Sequence, residues 1–427
     1  MKVSRYILAF VFCTWSLCTL NAQIAFRGAW IATVANIDWP SAEAVGNTEK
    51  QQAEMIWLLD SLQSLGINAI IFQVRPTADA LYRSDLEPLS HWLTGTQGSW
   101  ERPNPDNILR TATGSPIEQS SSPMKGREIQ TPYDPLEFTI EQAHERGMEV
   151  HVWLNPYRVN LAKTDTSILA SNHIFRQHPE WFWCYAKQWY FDPGLDETRE
   201  WICMVVADVV TRYDIQAVHM DDYFYPYPSG GKPLPDEETF KSNPRGFEDI
   251  RDWRRNNVNL AIQDISRTIK ECKPNVQFGI SPFGVWRNAS VDSTGSATTA
   301  GITNYDDLYA DIRLWIKEGW IDYVLPQLYW EIGKKAADYE ILAHWWANEV
   351  KGTNCKLYIG MAPYRLENAS PKTPWGNGNE IKRQMDLNRT IPEITGECFY
   401  STRPLLRNPR GVCDSIVSYP LPSPLQE

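Results

Sequence analysis

Two aspartates stand side by side in AVHMDDYFYP, residues 217–226, where an apolar run gives way to aromatics and prolines. Adjacent carboxylates repel each other and resist burial. Such a pair belongs either on a solvated turn or in a site that holds it for chemistry. Asp221 and Asp222 are therefore the first candidates for acid–base work.

The rest of the sequence narrows which chemistry that is. It contains no Walker loop and no phosphate-cradling glycine run. The stretch GISPFG is not the G-x-S-x-G turn of a serine nucleophile. Of seven histidines, only His151 and His219 fall on strand-like runs, too few for a histidine-rich metal centre, so no metal and no cofactor are expected. Glycoside hydrolysis fits best. It needs one carboxylic acid to protonate the leaving oxygen and a second group to attack or stabilise the oxocarbenium-like centre. Two separate carboxylates would flank the bond at about 5–9 Å, which neighbours on one strand do not easily do. Glu331, Asp38 and Asp192 are candidates for a distant second acid. The alternative is a nucleophile supplied by the substrate, the 2-acetamido oxygen of an N-acetyl sugar. On that reading Asp221 orients the acetamide and Asp222, its pKa raised beside an anionic neighbour, protonates the leaving group.

Such residues need a frame. Eight β-like runs occur, at 26–34, 68–76, 149–157, 217–224, 276–284, 321–330, 356–364 and 396–404, mostly followed by amphipathic segments. NTEKQQAEMIWLLDSLQSLG carries a capping box from Thr48 to Gln51 and a stop at Gly66, and DPLEFTIEQAHERG closes on Gly147. Strand alternating with helix eight times predicts a single (β/α)₈ barrel over residues 23–404, with 405–427 as a short closing tail. The connections after the second and third strands are the long ones, and residues 111–130 read as a polar, disordered tip. In this fold the C-terminal ends of the strands carry the site.

Alternation with period two then sorts the side chains. Facing inward are Trp30 on the first strand, Gln73 and Arg75 on the second, and His151, Trp153, Asn155 and Tyr157 on the third. The fourth gives His219 and Asp221, with Asp222 at the rim and Tyr223 after it; the fifth gives Ser281 and Phe283, the sixth Gln327 and Tyr329. Trp30 and Trp330 read as sugar platforms at the rim. Convergence of polar and aromatic groups on one rim points to a glycan more strongly than any residue does alone.

The N-terminus MKVSRYILAFVFCTWSLCTLNAQ has a basic start, an apolar centre and a polar end, the pattern of a signal peptide covering residues 1–22. This predicts a secreted, periplasmic or envelope protein with no membrane span after cleavage. A net charge of −11 argues against nucleic acid as a partner. Six cysteines follow the leader, an even number in an oxidising compartment, so some pairing is expected.

The ordered motifs FRGAWIATVANIDWPS, FQVRPTADALY, LTGTQG, WLNPYR, HMDDYFYP, ISPFGVWRN, LPQLYW and MAPYR resemble glycosyl-hydrolase-like family ten, the YngK-type envelope proteins, from Phe26 to about Arg403. The resemblance implies a (β/α)₈ barrel, an envelope location and hydrolysis of glycan strands, in some members peptidoglycan glycan stripped of its peptides. It places Arg75, Asn155, Tyr157, Arg158, Asp221, Asp222, Tyr223, Gln327, Tyr329 and Trp330 at matching positions and implies no settled catalytic assignment. Many relatives continue past the barrel, some with a small β-domain, whereas only LLRNPRGVCDSIVSYPLPSPLQE follows the eighth run here, so a barrel without an extra anchoring module is the expectation. Two other readings remain open at this point: a hydrolase of a dietary or host polysaccharide with a conventional acid pair, and a non-catalytic barrel that binds glycan.

Overall fold

The computed structural model describes residues 24–98, 133–160 and 164–421; the leader, the polar tip at 111–130 and the last residues of the tail lie outside them. Every strand-like run yields a strand. The strands are β1 (Phe26–Ile31), β2 (Ala69–Arg75), β3 (Glu149–Leu154), β4 (Phe182–Tyr185), β5 (Gln188–Phe191), β6 (Ala217–Met220), β7 (Gln277–Ile280), β8 (Tyr323–Val324), β9 (Lys356–Met361) and β10 (Ile394–Phe399). Eight of them close a barrel in the order β1-β10-β9-β8-β7-β6-β3-β2, and β4 and β5 form a separate hairpin. Neighbouring barrel strands are parallel and linked by helical connections, which makes this a (β/α)₈ barrel.

Several strands end sooner than their apolar runs. Pro282 follows β7 and Pro326 follows β8, and a proline has no N–H to continue the ladder. Beyond them single bridges remain, Phe283 with Gln327 and Gln327 with Gly360. The helix Thr48–Ser64 is capped by the Asn47 side chain, which accepts from Lys50 N, rather than by Thr48. Gln51 turns inward instead and donates to the carbonyls of Ala44 and Leu93. Asp134 caps Pro135–His144 as its position suggests. Two short helices, Thr402–Leu406 and Val412–Val417, complete the outer layer.

The barrel interior is filled with rings. Phe26 stacks on Tyr358 at 4.1 Å between centroids, and His151 and His219 flank Tyr323. Gly279 makes room for this: a Cβ there would lie 1.9 Å from the Tyr323 ring. The cysteines 184, 203, 272, 355, 398 and 413 are all unpaired, contrary to the expected pairing, and they are scattered over separate elements. Among the described residues no helix is long and apolar enough to cross a membrane.

Candidate active site

A cavity of about 240 Å³ opens at the C-terminal ends of the barrel strands. Of the residues singled out from the sequence, Trp30, Gln73, Trp153, Arg158, Asp221, Tyr223, Ser281, Gln327 and Tyr329 line it, joined by Tyr400. Among the described residues lining it, Asp221 is the one carboxylate.

Asp221 and Asp222 follow β6 directly, and both are nearly inaccessible to solvent. Asp221 Oδ1 accepts from the Asp222 backbone N–H at 2.8 Å and from Gln327 Nε2 at 2.8 Å. Gln327 also donates to the Ser281 carbonyl at 3.0 Å, which ties the ends of β6, β7 and β8 together around the acid. Asp222 Oδ2 accepts a short hydrogen bond from the Tyr227 hydroxyl. Burial pushes both carboxyls up. For Asp221 the neighbouring carboxylate adds to burial and the shift is large. For Asp222 the hydrogen bonds from Asp221 and Tyr227 oppose burial, so its rise is smaller. Both carboxyls therefore hold a proton more tightly than a free aspartate, and Asp221 is the one that faces the cavity.

The donors are held as firmly. Gln73 Oε1 accepts from the backbone N–H of Thr33 at 3.0 Å and of Val34 at 2.9 Å. That orients the amide, and its buried Nε2 has no protein partner. Arg158 lies over the Tyr223 ring, 4.0 Å from its centroid, with a buried and unpartnered Nε. The hairpin β4–β5 positions it: Phe191 N donates to the Tyr157 carbonyl and Val159 N to the Trp189 carbonyl, bracketing Arg158. The long connection after β3 therefore builds a wall that carries a cation, as its length suggested. Tyr400, at the end of β10, stacks on Tyr329 at 5.9 Å.

Other expected site residues lie elsewhere. Arg75 is buried against Glu87 (2.5 and 2.6 Å) and donates to the carbonyls of Asn155 and Pro156. The cause is a bulge: Gln73 pairs with Trp153 but Arg75 pairs with Leu154, so the alternation slips at Val74. Tyr157 joins the outer core, close to Arg199 and Cys203, because β3 ends at Asn155-Pro156. Asn155 supports the site from behind, accepting from Trp153 Nε1 at 2.9 Å. His219 sits beneath the floor, bonded to Ser281 and Trp30. Trp30 is 2% exposed and serves as floor rather than rim platform. Phe283 and Trp330, edge to face at 5.3 Å, stand with Tyr227 as a partly exposed aromatic group beside the acid pair.

The three candidates for a distant second acid have their oxygens engaged. Asp38 accepts from Ala32 N, Ser401 Oγ and Arg403 N, and burial pushes it up to about 6. Asp192 accepts from Gly194 N and Thr239 Oγ1. Glu331 holds Trp375 Nε1 at 2.9 Å and Lys334 at 3.2 Å. None of them lines the cavity. Tyr227 and Tyr400 were missed in the sequence. Tyr227 lies one residue beyond the motif, and Tyr400 ends a strand whose face had not been assigned.

A barrel whose strand ends gather a buried acid pair, fixed donors and aromatic walls is the architecture of a glycoside hydrolase. Comparison with known proteins agrees. The family described as Glycosyl hydrolase-like 10 matches residues 25–109 and 110–376, and the chain belongs to it. Glycosyl hydrolase YngK of Bacillus subtilis (strain 168) is 45% identical over 415 residues, spanning 97% of this chain and 75% of that one. Glycosyl hydrolase DigH of Escherichia coli (strain K12) is 40% identical over 400 residues, 90% and 84% of the two chains. Among solved structures, the glycoside hydrolase domain of PgaB (BpsB) from Bordetella bronchiseptica superposes with a TM-score of 0.53 at 9% identity. It covers 94% of this chain and 100% of that domain, a likeness of fold.

Proposed function

We propose that this glycoside hydrolase is exported and cleaves an N-acetylated bacterial glycan, peptidoglycan strands freed of their peptides, with the substrate's own acetamide oxygen as nucleophile. The observation that carries this reading is the single carboxylate among the described cavity-lining residues. A retaining or inverting pair needs a second carboxylate facing the bond, and Asp38, Asp192 and Glu331 have their oxygens engaged elsewhere. A 2-acetamido group supplies the missing oxygen. In this scheme Asp221 delivers its proton to the leaving oxygen, which departs as the alcohol, while the acetamide oxygen bonds to the anomeric carbon; the Asp221 carboxylate then takes a proton from the water that opens the oxazolinium, and Asp222, anchored by Tyr227, carries the negative charge beside it. Gln73 and Arg158 offer donors to sugar oxygens. The signal-peptide pattern of residues 1–22 supports export.

The test is digestion of peptide-free glycan strands by residues 23–427, read by mass spectrometry, beside the same strands after removal of their N-acetyl groups. Cleavage confined to the acetylated polymer, and lost in Asp221→Asn, is the expected result. Equal cleavage of both polymers refutes the substrate-assisted scheme.

A further inference from the structure

A continuous hydrogen-bonded line of side chains crosses the barrel interior from its N-terminal end to the cavity floor. At the start of β3 the half-exposed Glu149 carboxylate meets His151 Nε2 at 3.2 Å. His151 Nδ1 meets the Tyr323 hydroxyl at 2.9 Å, and the same hydroxyl meets His219 Nδ1 at 2.9 Å. His219 Nε2 then meets Ser281 Oγ at 2.9 Å and Trp30 Nε1 at 3.4 Å. Both histidine side chains are essentially inaccessible, and Gly279 leaves the space that Tyr323 occupies.

The two ends of this line dictate its direction. A carboxylate only accepts, so His151 must carry a proton on Nε2. A neutral His151 then has a bare Nδ1, which takes the one Tyr323 proton. The Tyr323 oxygen is left to accept, so His219 is protonated on Nδ1 and bare on Nε2. From the other end, an indole N–H only donates, so Trp30 also requires a bare His219 Nε2. Reversing the line would set Nε2–H against an indole N–H at one end and a bare nitrogen against a carboxylate at the other. An imidazolium at His151 would either make Tyr323 donate to His219, with the same conflict at Trp30, or leave the buried Tyr323 proton without an acceptor. The two ends, on β3 and β1, demand one answer.

We infer that Glu149 and Trp30 fix this line so that Ser281 spends its hydroxyl proton on His219 and faces the cavity as an acceptor only. Glu149 is a positioning residue acting from the far end of the barrel. The substrate group seated at Ser281 is a donor, a hydroxyl or an amide N–H. The direction of the line stands independently of the glycan reading; the identity of the donor rests on it.

The experiment uses the full chain labelled with ¹⁵N-histidine, with ring-nitrogen signals of His151 and His219 read by two-bond ¹H–¹⁵N correlation at neutral pH. The expected pattern is His151 protonated on Nε2 alone and His219 on Nδ1 alone. The opposite tautomer or an imidazolium at either ring overturns the proposal. Kinetics on peptide-free glycan strands supply the second arm: Ser281→Ala raises KM about 3–10-fold, the weight of one net hydrogen bond, with kcat little changed. An unchanged KM overturns the acceptor role of Ser281. Failure of the wild-type protein to cleave these strands would sink the glycan reading instead, and the ring signals would still decide the line.

Discussion

Replacing Glu87 by alanine strands the Arg75 guanidinium in the protein interior. The pair is closed on both sides, with side-chain exposures of 1% and 0% and two contacts of 2.5 and 2.6 Å. Breaking such a pair from one side costs about 3–5 kcal/mol, because a buried charge loses its counterion. Arg75→Met should cost a similar amount by leaving Glu87 charged, and it also deprives the carbonyls of Asn155 and Pro156 of their donor. In the double variant Arg75→Met/Glu87→Leu neither charge remains. Its cost should fall to the unsatisfied carbonyls, about 1–3 kcal/mol each, well below the sum of the single changes. Urea unfolding at neutral pH of the four proteins gives the cycle directly. Single losses below about 1 kcal/mol, or a double variant equal to the sum, would refute the buried-pair reasoning. A rise in KM for Arg75→Met without loss of stability would return Arg75 to the sugar-binding role its sequence position suggested.

Other perturbations probe the site and its supports. The buried Asp38 carboxyl, raised to about 6, binds its proton more tightly folded than unfolded. The stability of the wild type relative to Asp38→Asn should therefore fall between pH 4 and 7, by about 2.4 kcal/mol at 1.36 kcal/mol per unit; paired urea melts at the two pH values check this. Tyr227→Phe removes a donor that favours charge on Asp222, so the acidic limb of the kcat/KM profile should move to higher pH. A limb that stays in place removes Asp222 from the titration. Gly279→Ala drives a methyl into the Tyr323 ring, 1.9 Å away, and should cost about 1–3 kcal/mol or more as overpacking; thermal denaturation is the readout.

The barrel and the floor of its site were readable because both follow from one rule, period-two alternation on short apolar runs ended by polar or proline residues. Trp30, Gln73, Trp153, Asp221, Gln327 and Tyr329 obey it and line the cavity. Arg75 and Tyr157 do not, since a bulge at Val74 and the Pro156 turn each break the period, and neither is marked in sequence by anything stronger than its own context. The hydrogen bond from Tyr227 to Asp222 was also beyond the sequence, since it is set by the fold of the loop after β6. The engagement of Asp38 by Ser401 and Arg403 joins opposite ends of the chain, and no local pattern announces it.

The clamped amide of Gln73 bears on the choice of inhibitors. Two backbone N–H groups hold its oxygen, so the side chain cannot turn over to present an acceptor to a ligand. A lactam carbonyl, an oxazoline oxygen or a hydroxyl lone pair placed against Nε2 completes its bonding. An ammonium at the same point meets a donor with a donor. Cationic sugar mimics should therefore be built with their charge toward the acid pair and an oxygen toward β2.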